Sequence, residues 1–340
     1  MDNKLLDNSQ PETKNENITN DNDEEIKIQN LGEIEETIKK EVNEENATQN
    51  KTKKRKRKYG IDILRIVSMY LICLLHVLGA GGVLSGGIPQ TANYFIAWFL
   101  EITAYCGVDC YALISGYIGI EGKYKYSNII YLWLQVEFYS LIIFLIFQII
   151  NKDFDSDKFK ENALPVTYER WWYFTAYVGL FSVKPYLDYA LNNIPKNVAK
   201  WNILFGLIYI MIFARLNENL LYLGAGYTTY WLIILYIVGG YIKKYEPFKK
   251  INKIWLIIIW ILLIVITWVI KLGIEISSKN NPENNGVADS GDKYISYLSV
   301  TIFGTGIIML ELFSRIDLEG KNKKLIKIID RKSTRLNSSH

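Results

Sequence analysis

Apolar residues in this chain gather into helix-length runs separated by short polar stretches. The first extends from Ile61 to Leu78, and seven more follow at 94–119, 128–150, 171–190, 198–214, 227–242, 254–273 and 294–314. Wound as α-helix, runs of this length match the thickness of a bilayer core. Backbone polar groups in lipid must be satisfied within the spanning element, so the pattern predicts an all-α, polytopic transmembrane helix bundle with eight spans visible. Residues 1–58 break the pattern: they contain no aromatic side chain and are crowded with Asn, Glu, Asp and Lys. A segment of that kind buries too little apolar surface to offset the entropy of ordering, and a disordered tail is expected there. Inside it, Ile26, Leu31, Ile34, Ile38 and Val42 recur at weak helical spacing between Glu24 and Glu45, which fits either a membrane-surface or partner-binding helix or a solvated tail with transient helix.

Charge orients the bundle. The tail ends in KTKKRKRK, Lys51 to Lys58, directly before the first run. Basic residues at that position resist translocation, so the first helix is expected to start in the cytoplasm at the cell membrane, with the block drawn to anionic lipid rather than to nucleic acid. The connections then alternate. Lys123 and Lys125, Lys196 and Lys200, the group Lys243, Lys244, Lys249, Lys250 and Lys253, and Arg315 with Lys321, Lys323 and Lys324 fall on the predicted cytoplasmic side. The intervening stretches 81–93 and 216–226 carry no Lys or Arg, and 151–169 and 275–293 carry more acids than lysines. Trp171, Trp172, Tyr173 and Trp201 lie at run ends, where interfacial aromatic belts form.

Composition changes this picture little. A hydrophobic content of 50% over 340 residues would suit one or two soluble domains were it evenly spread, and it is not. The three cysteines, Cys73, Cys106 and Cys110, include no Cys-x-x-Cys pair, and with so little histidine they supply no metal site and read as small core residues. No phosphate loop, dinucleotide fingerprint or Gly-x-Ser-x-Gly elbow is present, so soluble nucleotide and serine-hydrolase chemistry find no support.

The candidate chemistry lies in polar residues placed inside apolar runs. In the first run only Asp62, Arg65 and His76 ionise readily. Arg65 and His76 are eleven residues apart, which returns to within about 20° of one helix face and separates them by about 16 Å along the axis. The second run holds Glu101 and Asp109, and the third holds Glu137, carboxylates that are costly in lipid and are expected to face a protein interior, a wet cavity or a cation. Asp109, Ala112, Leu113 and Gly116 share one face, which offers a small-residue groove to a neighbouring helix or ligand.

Four stretches in order resemble the acyltransferase 3 family. Asp62, Arg65 and His76 match the pattern of its first helix. Val108 to Tyr117, VDCYALISGY, is similar to its second-helix signature, with Asp109 where the family most often has Asn. Leu132 to Ser140, LWLQVEFYS, looks like the third helix, although Glu137 stands where an apolar residue is expected. Trp172, Tyr173, Phe174, Ala176, Tyr177 and Pro185 match the fourth helix of members from Gram-positive bacteria. The resemblance covers about Tyr59 to Lys327. It implies an integral-membrane enzyme that passes an acyl group, usually acetyl, from a CoA thioester to a hydroxyl of a surface polysaccharide or lipid-linked glycan. On that footing His76 is the candidate general base, since imidazole takes and returns a proton near neutral pH. Asp109 is its candidate catalytic neighbour, or else a structural group. Arg65, oriented by Asp62 and joined by Lys123 and Lys125, would hold the phosphates of acyl-CoA, a donor substrate rather than a tightly bound cofactor. Arg170, Trp172 and Tyr117 are the candidate acceptor contacts. The competing reading is a multi-pass transporter or flippase, with Arg65, Glu101, Asp109 and Glu137 as relay sites, although no paired interrupted helices or internal repeat are visible.

The last eleven residues, DRKSTRLNSSH from Asp330 to His340, read as the translation of a sequencing-adapter oligonucleotide. The membrane domain is therefore expected to occupy 59–329 and to be incomplete, the native protein running on to about ten spans. With His340 set aside, His76 is the one native histidine.

Overall fold

The computed structural model describes residues 58–122, 124–152, 156–216, 223–279, 291 and 294–318. The expected disordered tail, its basic block up to Arg57, Lys123 and the adapter-like segment 330–340 lie outside the described residues. Each of the eight apolar runs is a helix, and a ninth, short helix joins them. They are α1 Tyr59–Leu78, α2 Ala92–Gly119, α3 Tyr126–Asn151, α4 Ser156–Ala163, α5 Trp172–Asn193, α6 Lys196–Leu216, α7 Thr229–Tyr245, α8 Lys253–Lys279 and α9 Val300–Ser314. No strand occurs among the described residues. Five helices, α1, α2, α3, α6 and α8, are long and apolar enough to cross a membrane. The protein is an all-α, polytopic helix bundle.

The long helices alternate in direction. The end at which α1 begins is called proximal here and the end at which it finishes distal. Tyr94 at the start of α2 donates to Glu275 near the end of α8 at the distal end, and Lys58 donates to Tyr117 near the end of α2 at the proximal end, 2.6 Å away. Thr91 and Thr228 cap the distal starts of α2 and α7, their hydroxyls accepting from the Tyr94 and Trp231 amides. Each satisfies a backbone donor that the first turn leaves orphaned.

Helix α2 is the axis of the bundle. Its most apolar window is 61% buried, against 11% for α3 and α6 and 17% for α8, so the last three form the outer surface and carry the exposed Ile, Leu, Phe and Trp side chains that lipid solvates. α1, α7 and α9 pack directly on α2. The α2–α7 contact is close because two glycines make it so: a Cβ on Gly116 would run into the Tyr236 carbonyl oxygen, and one on Gly239 into that of Leu113. The small-residue face expected beside Asp109 is thus a helix-packing groove, filled by α7. Asp109 itself is fully buried at the top of it, near Gly306 of α9.

At the distal end a buried lysine ties α8 to α2. Lys271, on α8, has no exposed surface; its ammonium donates to Glu275 and to the Tyr94 hydroxyl and sits 3.9 Å from the centroid of the Trp98 ring. A charge so placed is held by an ion partner, a hydrogen bond and an aromatic face together.

Candidate active site

Among the described residues a cavity opens towards each end of α1, and Arg65 and His76 of that helix divide between the two. Arg65 is buried, donates to Asp62 at 3.3 Å and lines the proximal cavity, of about 180 Å³. Lys125, at the start of α3, and Lys184 of α5 line it too, whereas no Asp or Glu does among the described residues. Lys184 is held by Asp188, which also accepts from Tyr236, and donates to the Gly119 carbonyl. Tyr124 and Phe181 close one side with rings 4.6 Å apart. Pro185 accounts for that closure: lacking an N–H, it leaves the Phe181 carbonyl of the preceding turn unsatisfied, and the Tyr124 hydroxyl donates to it instead at 3.3 Å.

The distal cavity is larger, about 540 Å³, and is walled by α1, α2 and the start of α5. His76 lies on its wall as an exposed side chain. Arg170 and Trp172 line it as well, Arg170 paired with Glu161 at 3.7 Å. Half of the remaining wall residues are aromatic. Tyr227 and Tyr297 arrive from loops, with ring centroids 5.0 Å apart, and Tyr297 lies 4.8 Å from Tyr105 of α2. Glu101 is the carboxylate on this wall; it is nearly buried, and its Oε2 has no hydrogen-bond partner among the described residues.

The partition between the cavities is thin. Arg65 lines the proximal one and Met69, four residues on, the distal one. On α2 the same step separates Ser115 from Tyr111, and on α5 it separates Tyr177 from Tyr173. Four residues rise about 6 Å, so on all three helices the wall is one turn thick.

The structure therefore brings His76, Arg170 and Trp172 together at one end and Arg65, with Asp62 behind it, and Lys125 at the other. Two of the expected residues, Asp109 and Tyr117, lie away from the His76 cavity. Asp109 does not line the cavity with His76: its carboxylate accepts from the Trp231 indole at 3.1 Å inside the α2–α7–α9 packing, and Glu101, eight residues earlier, is the acid on the cavity wall. Tyr117 does not line that cavity either. It lies at the proximal end, its hydroxyl bonded by Lys58 and its ring flanked by Lys58 and Lys243, because nine residues on an antiparallel helix carry it away from Val108 and the distal cavity. Glu137 lines neither cavity, and Cys73 is exposed rather than a core residue, while Cys106 and Cys110 are buried. Sequence reasoning missed Lys184, although a lysine one residue before a proline inside an apolar run was a visible signal.

An arginine and a histidine on one spanning helix, each facing its own cavity, suit a transfer across a membrane, and the comparison with known families names the kind. The family model of the acyltransferase 3 family, described as an acyltransferase domain, matches residues 58–333. The chain belongs to the acyltransferase 3 family. No curated protein and no solved structure matches it. This acyltransferase is a multi-pass membrane protein, and the match reaches from the residue before α1 to beyond α9, so both cavities lie within it.

Proposed function

We propose that the acyltransferase moves an acyl group, acetyl foremost, from cytoplasmic acyl-CoA to a hydroxyl of a cell-surface or exported glycan, with His76 as general base. The observation that carries this reading is the division of Arg65 and His76 between two cavities at opposite ends of α1. The basic block before α1 and the alternating lysines support a cytoplasmic proximal end in the cell membrane. There Arg65, Lys125 and Lys184 offer three cations to the donor's phosphates, and the Tyr124 and Phe181 rings offer a face to its adenine. An extended pantetheine arm is about as long as the 16 Å rise from Arg65 to His76, enough to pass the one-turn wall and present the thioester distally.

In the distal cavity His76 takes the proton of the acceptor hydroxyl as that oxygen attacks the thioester carbonyl. Collapse of the tetrahedral adduct breaks the carbon–sulfur bond, and the departing thiolate takes the proton back from the imidazolium, leaving the ester and free CoA. The apolar faces of sugar rings fit the Tyr and Trp walls, whose hydroxyl and indole groups supply polar contacts. The full chain in nanodiscs, given labelled acetyl-CoA and cell-envelope glycan, is expected to label the glycan, and His76→Ala is expected to abolish labelling with the melting temperature unchanged. Full activity in that variant refutes the assignment of the base.

A further inference from the structure

The distal cavity has a neighbour. A second opening of about 380 Å³ lies between the starts of α5 and α7, lined by Glu169, Thr175, Thr228, Thr229 and Tyr230. It shares Trp172 and Tyr227 with the distal cavity, so those two rings, 4.6 Å apart and edge to face, form the wall between them. The chain is bent to make this arrangement. Glu169 holds a left-handed backbone with φ of 49°, an uncommon state for a residue with a Cβ. On one side of that bend Glu169 lines the second opening; on the other, Arg170 and Trp171 line the first.

Its chemistry differs from that of the His76 cavity. Hydroxyls dominate, from three threonines and two tyrosines, with one carboxylate and one indole face. Thr175 Oγ1 is buried without a hydrogen-bond partner among the described residues, a polar atom left waiting for one. Each opening lies within the range of about 300–1,000 Å³ usual for small-molecule sites. Neither opening shares a lining residue with the proximal cavity.

We infer that the second opening is a saccharide subsite for the sugar next to the one acylated, so that the acyltransferase acts on glycans of two or more residues. This rests on the acceptor reading above. Hydroxyl-rich walls bond sugar hydroxyls without demanding charge, and the shared Trp172 and Tyr227 rings let adjoining sugars stack on one partition. A monosaccharide would fill one opening and leave the other to water.

The test uses the full chain in nanodiscs with labelled acetyl-CoA and matched probes: methyl N-acetylglucosaminide against diacetylchitobiose, and methyl glucoside against cellobiose. In whichever pair accepts label, kcat/KM for the disaccharide is expected to exceed that for the monosaccharide by about tenfold, the scale of one good added contact. Thr175→Val removes the buried hydroxyl at constant shape, and Tyr230→Ala removes a half-exposed ring. Either is expected to bring the ratio of the two towards one, whereas a general folding defect lowers both and leaves the ratio alone. Equal use of both members by the parent protein overturns the subsite and leaves acyl transfer to glycans standing. Turnover of acetyl-CoA with no saccharide labelled overturns the acceptor reading and the subsite together.

Discussion

Asp109→Asn separates a structural carboxylate from a catalytic one. Asp109 is fully buried, accepts from the Trp231 indole at 3.1 Å and lines neither the proximal nor the His76 cavity. An asparagine keeps an acceptor oxygen in place, so the hydrogen bond survives in neutral form, worth about 0.5–1.5 kcal/mol. Asp109→Ala removes it altogether. The orphaned indole N–H then costs about 1–3 kcal/mol, and a void of roughly 40 Å³ adds about 1 kcal/mol at ~24 cal/mol per Å³. The sum, about 2–4 kcal/mol, is read by thermal unfolding of purified protein in detergent, where Asp109→Ala is expected to melt several degrees early. Acyl transfer by Asp109→Asn is expected within about threefold of the parent. An Asp109→Asn protein that melts normally and transfers nothing would refute this reasoning and return Asp109 to acid–base chemistry.

Further outcomes follow from the charged contacts. Arg65→Gln removes a cation from the proximal cavity, and on the proposed reading the KM for acetyl-CoA is expected to rise about tenfold or more, the worth of a charge-assisted hydrogen bond, with glycan KM little changed in steady-state assays. Lys271→Met leaves Glu275 without its ion partner, and a loss of about 3–5 kcal/mol is expected in chemical denaturation. Lys271→Met with Glu275→Leu removes both charges and is expected to recover much of that loss; a double variant no better than the single one would show that the pair is favourable in itself.

Hydropathy alone marks the eight helices that the apolar runs form, because each run is of helix length, and five of them, α1, α2, α3, α6 and α8, are long and apolar enough to cross a membrane. It does not mark α4. Its sequence SDKFKENA has no apolar stripe, and the helix is held by tertiary contacts, the Asn162 carboxamide accepting from Ser140 and Phe159 meeting Phe144. The pairing of Arg65 and His76 on one face is legible because it depends on one helix and its 3.6-residue period. Which carboxylate of α2 faces His76 is not. Glu101 and Asp109 are eight residues and about 80° apart, and only the positions of α1 and α7 decide that Glu101 meets the cavity and Asp109 meets Trp231. Nor could the aromatic wall be foreseen. Tyr105 and Tyr227 are hydrogen-bonded at 3.4 Å across 122 positions of sequence, and no local pattern records that meeting.

The partition one turn thick between the two cavities has an electrical consequence. Water reaching Arg65 from one side and Met69 from the other would bring each bath's potential deep into the bundle, so most of the membrane voltage would fall across about 6 Å. A unit charge crossing the whole of it gains or loses about 2.3 kcal/mol per 100 mV. Under the acyl-transfer reading proposed above, the proton that His76 takes from the acceptor and hands to the departing thiolate moves close to that short drop. On this view glycan acylation answers to the energised state of the cell envelope as well as to the supply of acetyl-CoA.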